Sequence, residues 1–558
     1  MLGSQLIQSV VEEWSRLQES YLVIRQTVAA LRLSRWQLMR LLAAQIWRDM
    51  TPFAAIILVA LSVSVAWSVS RIFRFFARSP LDDLGMPLVG GSWGGKLDFR
   101  QMMEDNAKQH PDRPYRLRAF GIEYVVFPSK FFNEVKRIPS KQASLLEFAR
   151  HAFHGSWSGI GQHSEEMIDT VAADISRGIP SLVRARQQDC AAACDAVLGD
   201  CPDWKEVTLY PAMQEIVAST NASALVGRNL GTNKKWVSNV ERLPLLVAVP
   251  AVILSAVPVW LQPLFKPLFF APVRYSRFVL ARLLAPVLKE DIREYESSTD
   301  KKALAGPKAK GKMPVTSWLM GRYPASYKKN LLGHLTNDCL GISFESTSTT
   351  SGTLFYIMVE LAADPALADT VRQELREVAP EGRLPSTQLN ELKVMDSVMR
   401  ESARVNPFSH IVLSRKLLQP LQLSTGPLLP AGTIICVDAH HINFSSALWG
   451  PNPENFDGLR HYRERQKPGK ENRFKFANLG SDAPGWGDGP QACPGRMFAD
   501  NTLKIIITHL LTHYDVKLIP GKGKPKKGTL PNGSMYPDTG AKVLFRSRRG
   551  GLGVRGEE

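Results

Sequence analysis

The sequence predicts a mainly α-helical protein with a minor β part, built as one large domain behind an N-terminal transmembrane helix. Three observations lead to this prediction: long stretches with apolar residues at helical spacing, short β-rich segments that come late in the chain, and one uncharged segment near the N-terminus. With 558 residues, of which 44% are hydrophobic, the chain is long enough to bury a large core.

The uncharged segment, residues 52–70, is the predicted membrane anchor and is followed by Arg71. Its nineteen residues, at about 1.5 Å each, give roughly 28 Å of helix, enough to cross the hydrocarbon core of a bilayer. The segment begins too late for a cleaved signal peptide. We expect residues 1–51 to form an amphipathic extension before the anchor, and residues 71–88 to form a hinge that contains proline and glycine.

Residues 89–546 show globular patterning without internal repeats and are predicted to form the large domain, with residues 547–558 as a flexible tail. Asp364, followed by proline, predicts a helix start, because its side chain can cap and proline suits the first position. Residues 388–405 are expected to form another helix, and residues 433–439 are rich in β-branched residues typical of a strand.

A second apolar stretch, residues 243–265, carries no charge but contains four prolines. Because proline disrupts helix interiors, we expect a surface element that dips into a bilayer instead of a clean helix. A second membrane span and a purely buried loop remain open alternatives.

Charge and cysteine content restrict the class of protein. Six cysteines at irregular spacing do not make a disulfide framework, which indicates a reducing compartment. The formal charge of +17 indicates an acidic partner or an anionic surface, but the basic residues are scattered and no nucleic-acid motif accompanies them. We therefore expect no nucleic acid as partner. Solvated loop charge and a docking surface for an acidic protein or lipid headgroups both remain open.

The strongest local signal is a glycine-rich loop that leads into a helical pattern and contains Cys493. Trp486, Gly487 and Gly489 precede the cysteine, and Gly495 follows it. Glycines let a backbone turn tightly and approach a flat ligand, and a thiolate is favoured at a loop-to-helix junction. With no second cysteine nearby, one axial bond to haem iron suits it better than a tetrahedral zinc site. Without context, a lone cysteine is more often a small buried residue.

Two weaker signals lie upstream. Glu401 and Arg404 are one helical turn apart and can pair, although a surface ion pair is the ordinary meaning of that spacing. Residues 343–350 contain six hydroxyl side chains within a long helical stretch. On these residues alone, a kinked helix with hydroxyls bonded back to carbonyls is the ordinary interpretation.

Taken together, these stretches resemble the cytochrome P450 family over roughly residues 85–546. The resemblance implies that Cys493 holds the iron of haem b, and that Glu401, Arg404 and Arg460 form a buried cluster that fixes the loop around the cysteine. Trp486 stands where the family usually has phenylalanine beside the thiolate. Gln491 replaces the usual arginine or histidine that contacts a haem propionate.

The resemblance also suggests roles on the long central helix. Thr349 matches the family's threonine of an acid–threonine pair, while Ser348 stands where an acid, or histidine in fungal members, is usual. Glu345 stands where a small residue is common, so proton delivery uses Glu345 or water alone. Arg415 matches an arginine that pairs with a haem propionate, although a solvated surface arginine is the ordinary alternative.

The resemblance therefore implies a haem-dependent monooxygenase that uses O2 and electrons from NADPH, delivered by a separate flavoprotein reductase on the same membrane. The expected location is the endoplasmic reticulum, with a single-pass anchor and the domain facing the cytosol. The expected substrate is a bulky hydrophobic small molecule, of the terpenoid type or a related fungal secondary metabolite. Two alternatives remain: a haem-thiolate enzyme that rearranges or dehydrates its substrate without O2 insertion, and a non-catalytic membrane carrier of haem or lipid.

Overall fold

The computed structural model describes residues 64, 67, 68, 79–89, 99–119, 121–255, 257, 260–299, 313–380, 383–529 and 534–548. The predicted extension, nearly all of the predicted anchor and most of the predicted tail lie outside these residues. The chain divides into two compact units, and the larger one comprises Ser79–Ser255 and Leu264–Glu558. The fold described below is that of the larger unit.

Helices dominate the structure, as the sequence predicts. They run over Phe99–Gln109 (α1), Phe132–Val135 (α2), Leu145–Ala152 (α3), Gly155–Ser158 (α4), Glu165–Asp169 (α5), Ser176–Val197 (α6), Leu209–Leu225 (α7), Arg228–Gly231 (α8), Lys234–Ser255 (α9), Gln262–Phe269 (α10), Ala271–Ser297 (α11), Val315–Arg322 (α12), Leu331–Ala363 (α13), Pro365–Val378 (α14), Lys393–Val405 (α15), Ala439–Phe444 (α16), Ser446–Trp449 (α17), Arg460–Arg465 (α18) and Arg496–His513 (α19).

The β part is small and lies in three sheets. Its strands are Leu88–Val89 (β1), Tyr115–Ala119 (β2), Ile122–Phe127 (β3), Ala143–Ser144 (β4), Lys205–Thr208 (β5), Ile411–Leu417 (β6), Ile434–Asp438 (β7), Tyr514–Leu518 (β8), Gly528–Thr529 (β9), Met535–Tyr536 (β10) and Lys542–Ser547 (β11). The largest sheet is mixed and has the order β1-β2-β3-β7-β6-β4. A three-stranded antiparallel sheet, β5-β11-β8, and the β9-β10 hairpin complete the set.

The long helix α13 is central to the core. Its 33 residues give a length of about 50 Å, and its C-terminal half buries Leu354, Phe355 and Leu361 in the main hydrophobic cluster. Asp364 ends this helix and begins the next, because its side chain accepts a hydrogen bond from the Leu367 N–H at 3.0 Å. The predicted helix start at Asp364 is confirmed.

Two element boundaries differ from the prediction. The helix expected over 388–405 begins at Lys393. The stretch 243–265 is more helical than expected, because α9 continues through Pro244 and Pro250 to Ser255. Each proline removes one backbone hydrogen bond, but the buried side chains of α9, such as Leu243, Val247 and Leu254, offset that loss by packing against the core.

Helix α9 is, among the residues that the structure describes, the one helix long and apolar enough to cross a bilayer by length and composition. A third of its most apolar window is buried within the protein. A core helix of a soluble protein meets the same criterion, so its composition does not by itself establish a span.

Candidate active site

The loop around Cys493 is shaped by its backbone. The Cys493 N–H donates to the Trp486 carbonyl at 2.8 Å and closes the loop. Gly487 and Gly489 have φ angles of +66° and +69°, a region that glycine enters without strain. A side chain at Gly489 would also lie 2.1 Å from the Lys136 carbonyl oxygen. These glycines are therefore required by the path of the chain before any ligand is considered.

The sulfur of Cys493 lies at the N-terminus of α19. Burial raises the pKa of this thiol, and the charge of Glu345 acts in the same direction. The backbone N–H groups of Gly495 and Arg496, which donate to the sulfur, oppose that rise without cancelling it. The loop thus holds the Cys493 sulfur with amide donors, and a bound cation would favour its thiolate form. This donor set fits a single axial thiolate ligand to haem iron.

Arg415 lies on β6 and is 1% exposed. One guanidinium nitrogen donates to the Ile138 carbonyl at 3.0 Å, and its Nη2 atom has no hydrogen-bond partner within the described part of the chain. Burial lowers the pKa of Arg415 to about 10. A buried guanidinium in this state calls for an anionic partner. A haem propionate fits that requirement, so the residues present accept the group that the cysteine loop implies.

The two departures from the family's loop pattern engage the protein itself. The Trp486 indole N–H donates to the Phe476 carbonyl at 2.8 Å, and the two rings pack edge to face. The Gln491 side chain donates to the Ala143 carbonyl at 2.8 Å and accepts from the Leu145 N–H at 2.7 Å. Gln491 therefore ties the cysteine loop to the start of α3.

The hydroxyl-rich part of α13 is an unbroken helix. The hydroxyls of Ser343, Thr347 and Thr349 donate to carbonyls one turn earlier, at 2.8–3.0 Å. This is the pattern of back-bonded hydroxyls that the residues alone favour. Ser348 is half-buried.

Glu345 and Thr349 are the exposed residues of this segment and lie one turn apart, on the same face of α13. Burial raises the pKa of Glu345 to about 7, yet 46% of its side chain is accessible. Both observations fit a side chain that protein surrounds but that water can still reach. Such a carboxyl can both hold and release a proton near neutral pH.

The predicted cluster of Glu401, Arg404 and Arg460 is assembled in the structure. Glu401 is fully buried and accepts from Arg404 at 2.7 and 2.9 Å and from Arg460 at 3.0 Å. His461 Nε2 lies 3.3 Å from the same carboxylate. Burial alone would raise the pKa of Glu401, but the hydrogen bonds and charges of Arg404 and His461 outweigh it and lower the pKa to about 2.

A second buried charge cluster was not anticipated from the sequence. Asp396 lies on α15 and accepts from Arg465 and from Lys504, both at 3.0 Å, and Lys504 also pairs with Asp500 at 3.0 Å. The charges of Asp500 and Asp396 raise the pKa of Lys504 in spite of its burial. This cluster ties α15 to α19, the helix that follows the cysteine. The sequence feature that could have indicated this cluster is the pair Asp500 and Lys504, which are four residues apart in an otherwise apolar helix.

A third buried network centres on Arg186 of α6. Its guanidinium donates to side-chain oxygens of Asn501, Thr502 and Asn221 and stacks on Phe498 at 4.2 Å. The Asn221 amide in turn donates to the Ser346 carbonyl of α13 at 2.9 Å. A polar connection thus runs from the helix after Cys493 to the hydroxyl-rich segment, and no local sequence pattern indicates it.

A cysteine sulfur held by amide donors before a helix, together with a buried guanidinium whose Nη2 atom has no partner among the described residues, fits a haem-thiolate protein. The sequence profile of the family described as cytochrome P450 matches residues 171–545. This chain belongs to the cytochrome P450 family.

Relatives with known names support the same class. A cytochrome P450 monooxygenase of Pyricularia oryzae is 53% identical, covering 95% of this chain and 96% of its own length. One from Aspergillus flavipes is 42% identical, covering 97% of this chain and all of its own. Pyrichalasin C-18 hydroxylase of Pyricularia grisea is 41% identical, covering 95% of this chain and 98% of its own. The chain is accordingly a haem-dependent oxidoreductase of the monooxygenase type.

Among solved structures, the retinoic acid-bound cyanobacterial CYP120A1 superposes with a TM-score of 0.62 at 17% identity. The match covers 83% of this chain and all of that chain. At this level of identity the likeness concerns the fold, and it confirms the predicted mainly α architecture with a minor β part.

Proposed function

We propose that this chain hydroxylates a bulky hydrophobic secondary metabolite with O2, using electrons from NADPH that a separate flavoprotein reductase delivers. The observation that carries the proposal is the amide-cradled Cys493 in a protein whose buried Arg415 has, among the described residues, no hydrogen-bond partner for its Nη2 atom. When bound, haem supplies the iron that activates O2. The protein residues provide the ligand, the orientation and the protons.

Four of the predicted site residues have distinct tasks in this proposal. Cys493 would hold the haem iron through its thiolate, and Arg415 would pair with a haem propionate. Glu345 holds a proton beside the reacting oxygen, because its pKa of about 7 lets it release and regain that proton. The Thr349 hydroxyl, which donates to the Glu345 carbonyl at 3.0 Å, lies on the same face and can contact a bridging water.

The proposal is tested by reconstituting the full chain with an NADPH-dependent flavoprotein reductase and 18O2. We expect one labelled oxygen atom in the product for each NADPH consumed in a fully coupled turnover. Product that forms without O2 uptake would instead support the rearranging haem-thiolate enzyme. Haem binding with no response to the reductase would support the non-catalytic carrier.

The substrate class follows from a relative and not from the site geometry. Pyrichalasin C-18 hydroxylase carries its substrate in its name, so a pyrichalasin-type metabolite is the first ligand to test. The resemblance of the sequence suggests a terpenoid-type skeleton as the second. Spectral titration of the ferric protein with both, beside a small polar control, distinguishes these classes. Tight binding of the polar control alone would contradict a bulky hydrophobic substrate.

We further propose that the protein is bound to the endoplasmic reticulum membrane, with the domain in the cytosol. Besides the predicted anchor at residues 52–70, three consecutive helices present large apolar side chains to solvent. These are Leu245, Val249 and Ile253 on α9, Leu264 and Leu268 on α10, and Tyr275 and Phe278 on α11. The surfaces of soluble proteins rarely expose so many large apolar side chains together, and a bilayer interface would bury them.

A probe placed on these helices tests the membrane contact. An environment-sensitive fluorophore at Leu264, which is 72% exposed, should show a blue-shifted emission when the full chain is in lipid nanodiscs. The matched control is Leu448 on α17, which is 59% exposed and belongs to none of these helices. Equal emission from both positions would contradict a bilayer contact at α10.

The reductase is proposed to dock beside the cysteine loop. Lys136 pairs with Asp488 of that loop at 2.9 Å, and Arg137 and Lys141, close by in the chain, are exposed. Complementary charge mainly accelerates association and makes it salt-dependent. We expect the double variant Arg137→Glu, Lys141→Glu to slow reduction by the reductase at low salt, with a normal rate for reduction by dithionite. An unchanged rate with the reductase would exclude this surface.

A further inference from the structure

A loop residue outside the predicted site, His163, lies against the central helix. The loop is held there because Ser164 donates both its N–H, at 2.9 Å, and its hydroxyl to the carboxylate of Asp338 on α13. Tyr323 donates to the same carboxylate at 2.7 Å. The loop approaches α13 at Gly341, where an added Cβ atom would make ordinary van der Waals contact with the His163 Cβ atom at 3.6 Å, so the hydrogen bonds to Asp338 are what hold the loop. The position of His163 is therefore built into the fold.

From this loop, His163 reaches the predicted proton donor. Its Nδ1 atom lies 3.5 Å from Glu345 Oε1, and its side chain is 12% exposed. Asp338, Gly341, Glu345 and Thr349 follow one another at intervals of three and four residues, so they share one face of α13. A separation of 3.5 Å is longer than an ordinary N–H···O hydrogen bond, and a small side-chain rotation shortens it to one, as often happens when a substrate binds.

The surroundings decide which partner donates. Burial lowers the pKa of His163, the charge of Asp338 opposes this, and the charge of Arg150 adds to it. The imidazole is therefore neutral at neutral pH, and with its hydrogen on Nδ1 it donates to the Glu345 carboxylate. The charge of the Glu345 carboxylate also raises the pKa of the Cys493 thiol.

We propose that His163 is a positioning residue, whose Nδ1–H holds the Glu345 carboxyl in the orientation from which it delivers protons to the reacting oxygen. The inference rests on the proposed role of Glu345. His163 supplies the Glu345 carboxyl with a donor from a separate loop. Removing this donor should leave haem binding intact but lower the amount of product formed per NADPH consumed.

The test compares His163→Ala with His163→Asn in the full chain, reconstituted with reductase. Asparagine places an N–H donor close to the position of Nδ1 but does not titrate, so it separates positioning from proton exchange. We expect His163→Ala to lower the product formed per NADPH by about three- to tenfold, the effect of one lost hydrogen bond. His163→Asn should retain most of the wild-type ratio. Haem content and the reduced, carbon monoxide-bound spectrum should match wild type in both.

A second readout does not depend on turnover. Glu345→Gln identifies the infrared carbonyl band of the protonated Glu345 carboxyl by deleting it. Because a donor stabilises the ionised form, His163→Ala should raise the titration midpoint of that band by about 0.5–1 pH unit, and His163→Asn should not.

The outcomes separate the inference from the function on which it rests. If Glu345→Gln leaves the product per NADPH unchanged, the proton-delivery role of Glu345 fails, and the inference fails with it. If Glu345→Gln is impaired but His163→Ala is normal in both readouts, only the positioning role of His163 is overturned. A His163→Asn variant as impaired as His163→Ala also overturns it, because a fixed donor would then be insufficient.

Discussion

Replacing Glu401 with glutamine removes the charge at the centre of the predicted cluster while keeping its shape. Arg404 is buried and Arg460 is mostly so, and both donate to this carboxylate at 3.0 Å or less. Breaking a buried pair on one side leaves uncompensated charge and typically costs about 3–5 kcal/mol. We therefore expect Glu401→Gln to lower the free energy of unfolding by about 3 kcal/mol.

The lowered pKa of Glu401 gives a second route to the contribution that its charge makes to the free energy of unfolding. A shift from the ordinary 4.5 to about 2, at 1.36 kcal/mol per pH unit, corresponds to about 3 kcal/mol. Because the pKa is lower in the folded state, this stabilisation is complete above pH 4.5 and is lost as the pH falls toward 2. The difference between wild type and variant should therefore shrink over that interval.

Chemical denaturation of the detergent-solubilised full chain measures both quantities. Glu206→Gln is the matched control, because Glu206 pairs with Lys542 at the surface and both side chains are nearly half exposed. That pair should contribute no more than about 1 kcal/mol. If Glu401→Gln destabilises the protein no more than Glu206→Gln does, the reasoning about the buried cluster is refuted.

Two further predictions concern the other buried charges. Asp396→Asn should destabilise the chain by about 3–5 kcal/mol in the same denaturation assay, because it leaves Lys504 and Arg465 without a shared carboxylate; a loss below 1 kcal/mol would mean that Asp500 alone neutralises the cluster. Arg415→Ala should increase the rate of haem loss to a haem acceptor by about tenfold or more, as expected for the loss of one charge-assisted contact, with the position of the reduced carbon monoxide band unchanged; haem retention equal to wild type would show that Arg415 has another partner.

The features that sequence reasoning found are those whose partners are close in the chain or belong to a known pattern. Asp364 caps a helix whose first turn it adjoins, and Glu401 and Arg404 are one turn apart. The cysteine loop contains its own shape, because the positive φ angles fall on Gly487 and Gly489. In each case, a few residues that are close in the sequence are enough to determine the local structure.

The features that it missed depend on distant parts of the chain. Arg186 contacts Asn501 and Thr502, which are more than 300 residues away in the chain. His163 lies on a loop and contacts Glu345 on the distant helix α13. Nothing near either residue marks it as unusual. The helical course of α9 was missed for another reason: the proline rule describes an isolated helix, whereas packing of one face of α9 decides the outcome here.

The most direct test of the account is the reduced, carbon monoxide-bound absorption spectrum of wild type and Cys493→His in membranes. Wild type should show the red-shifted Soret band of thiolate-ligated haem, and Cys493→His should lose it while retaining a haem signal or losing haem altogether. A wild-type band at the position of histidine-ligated haem, or a red-shifted band that survives in Cys493→His, would contradict the assignment of Cys493 as the iron ligand.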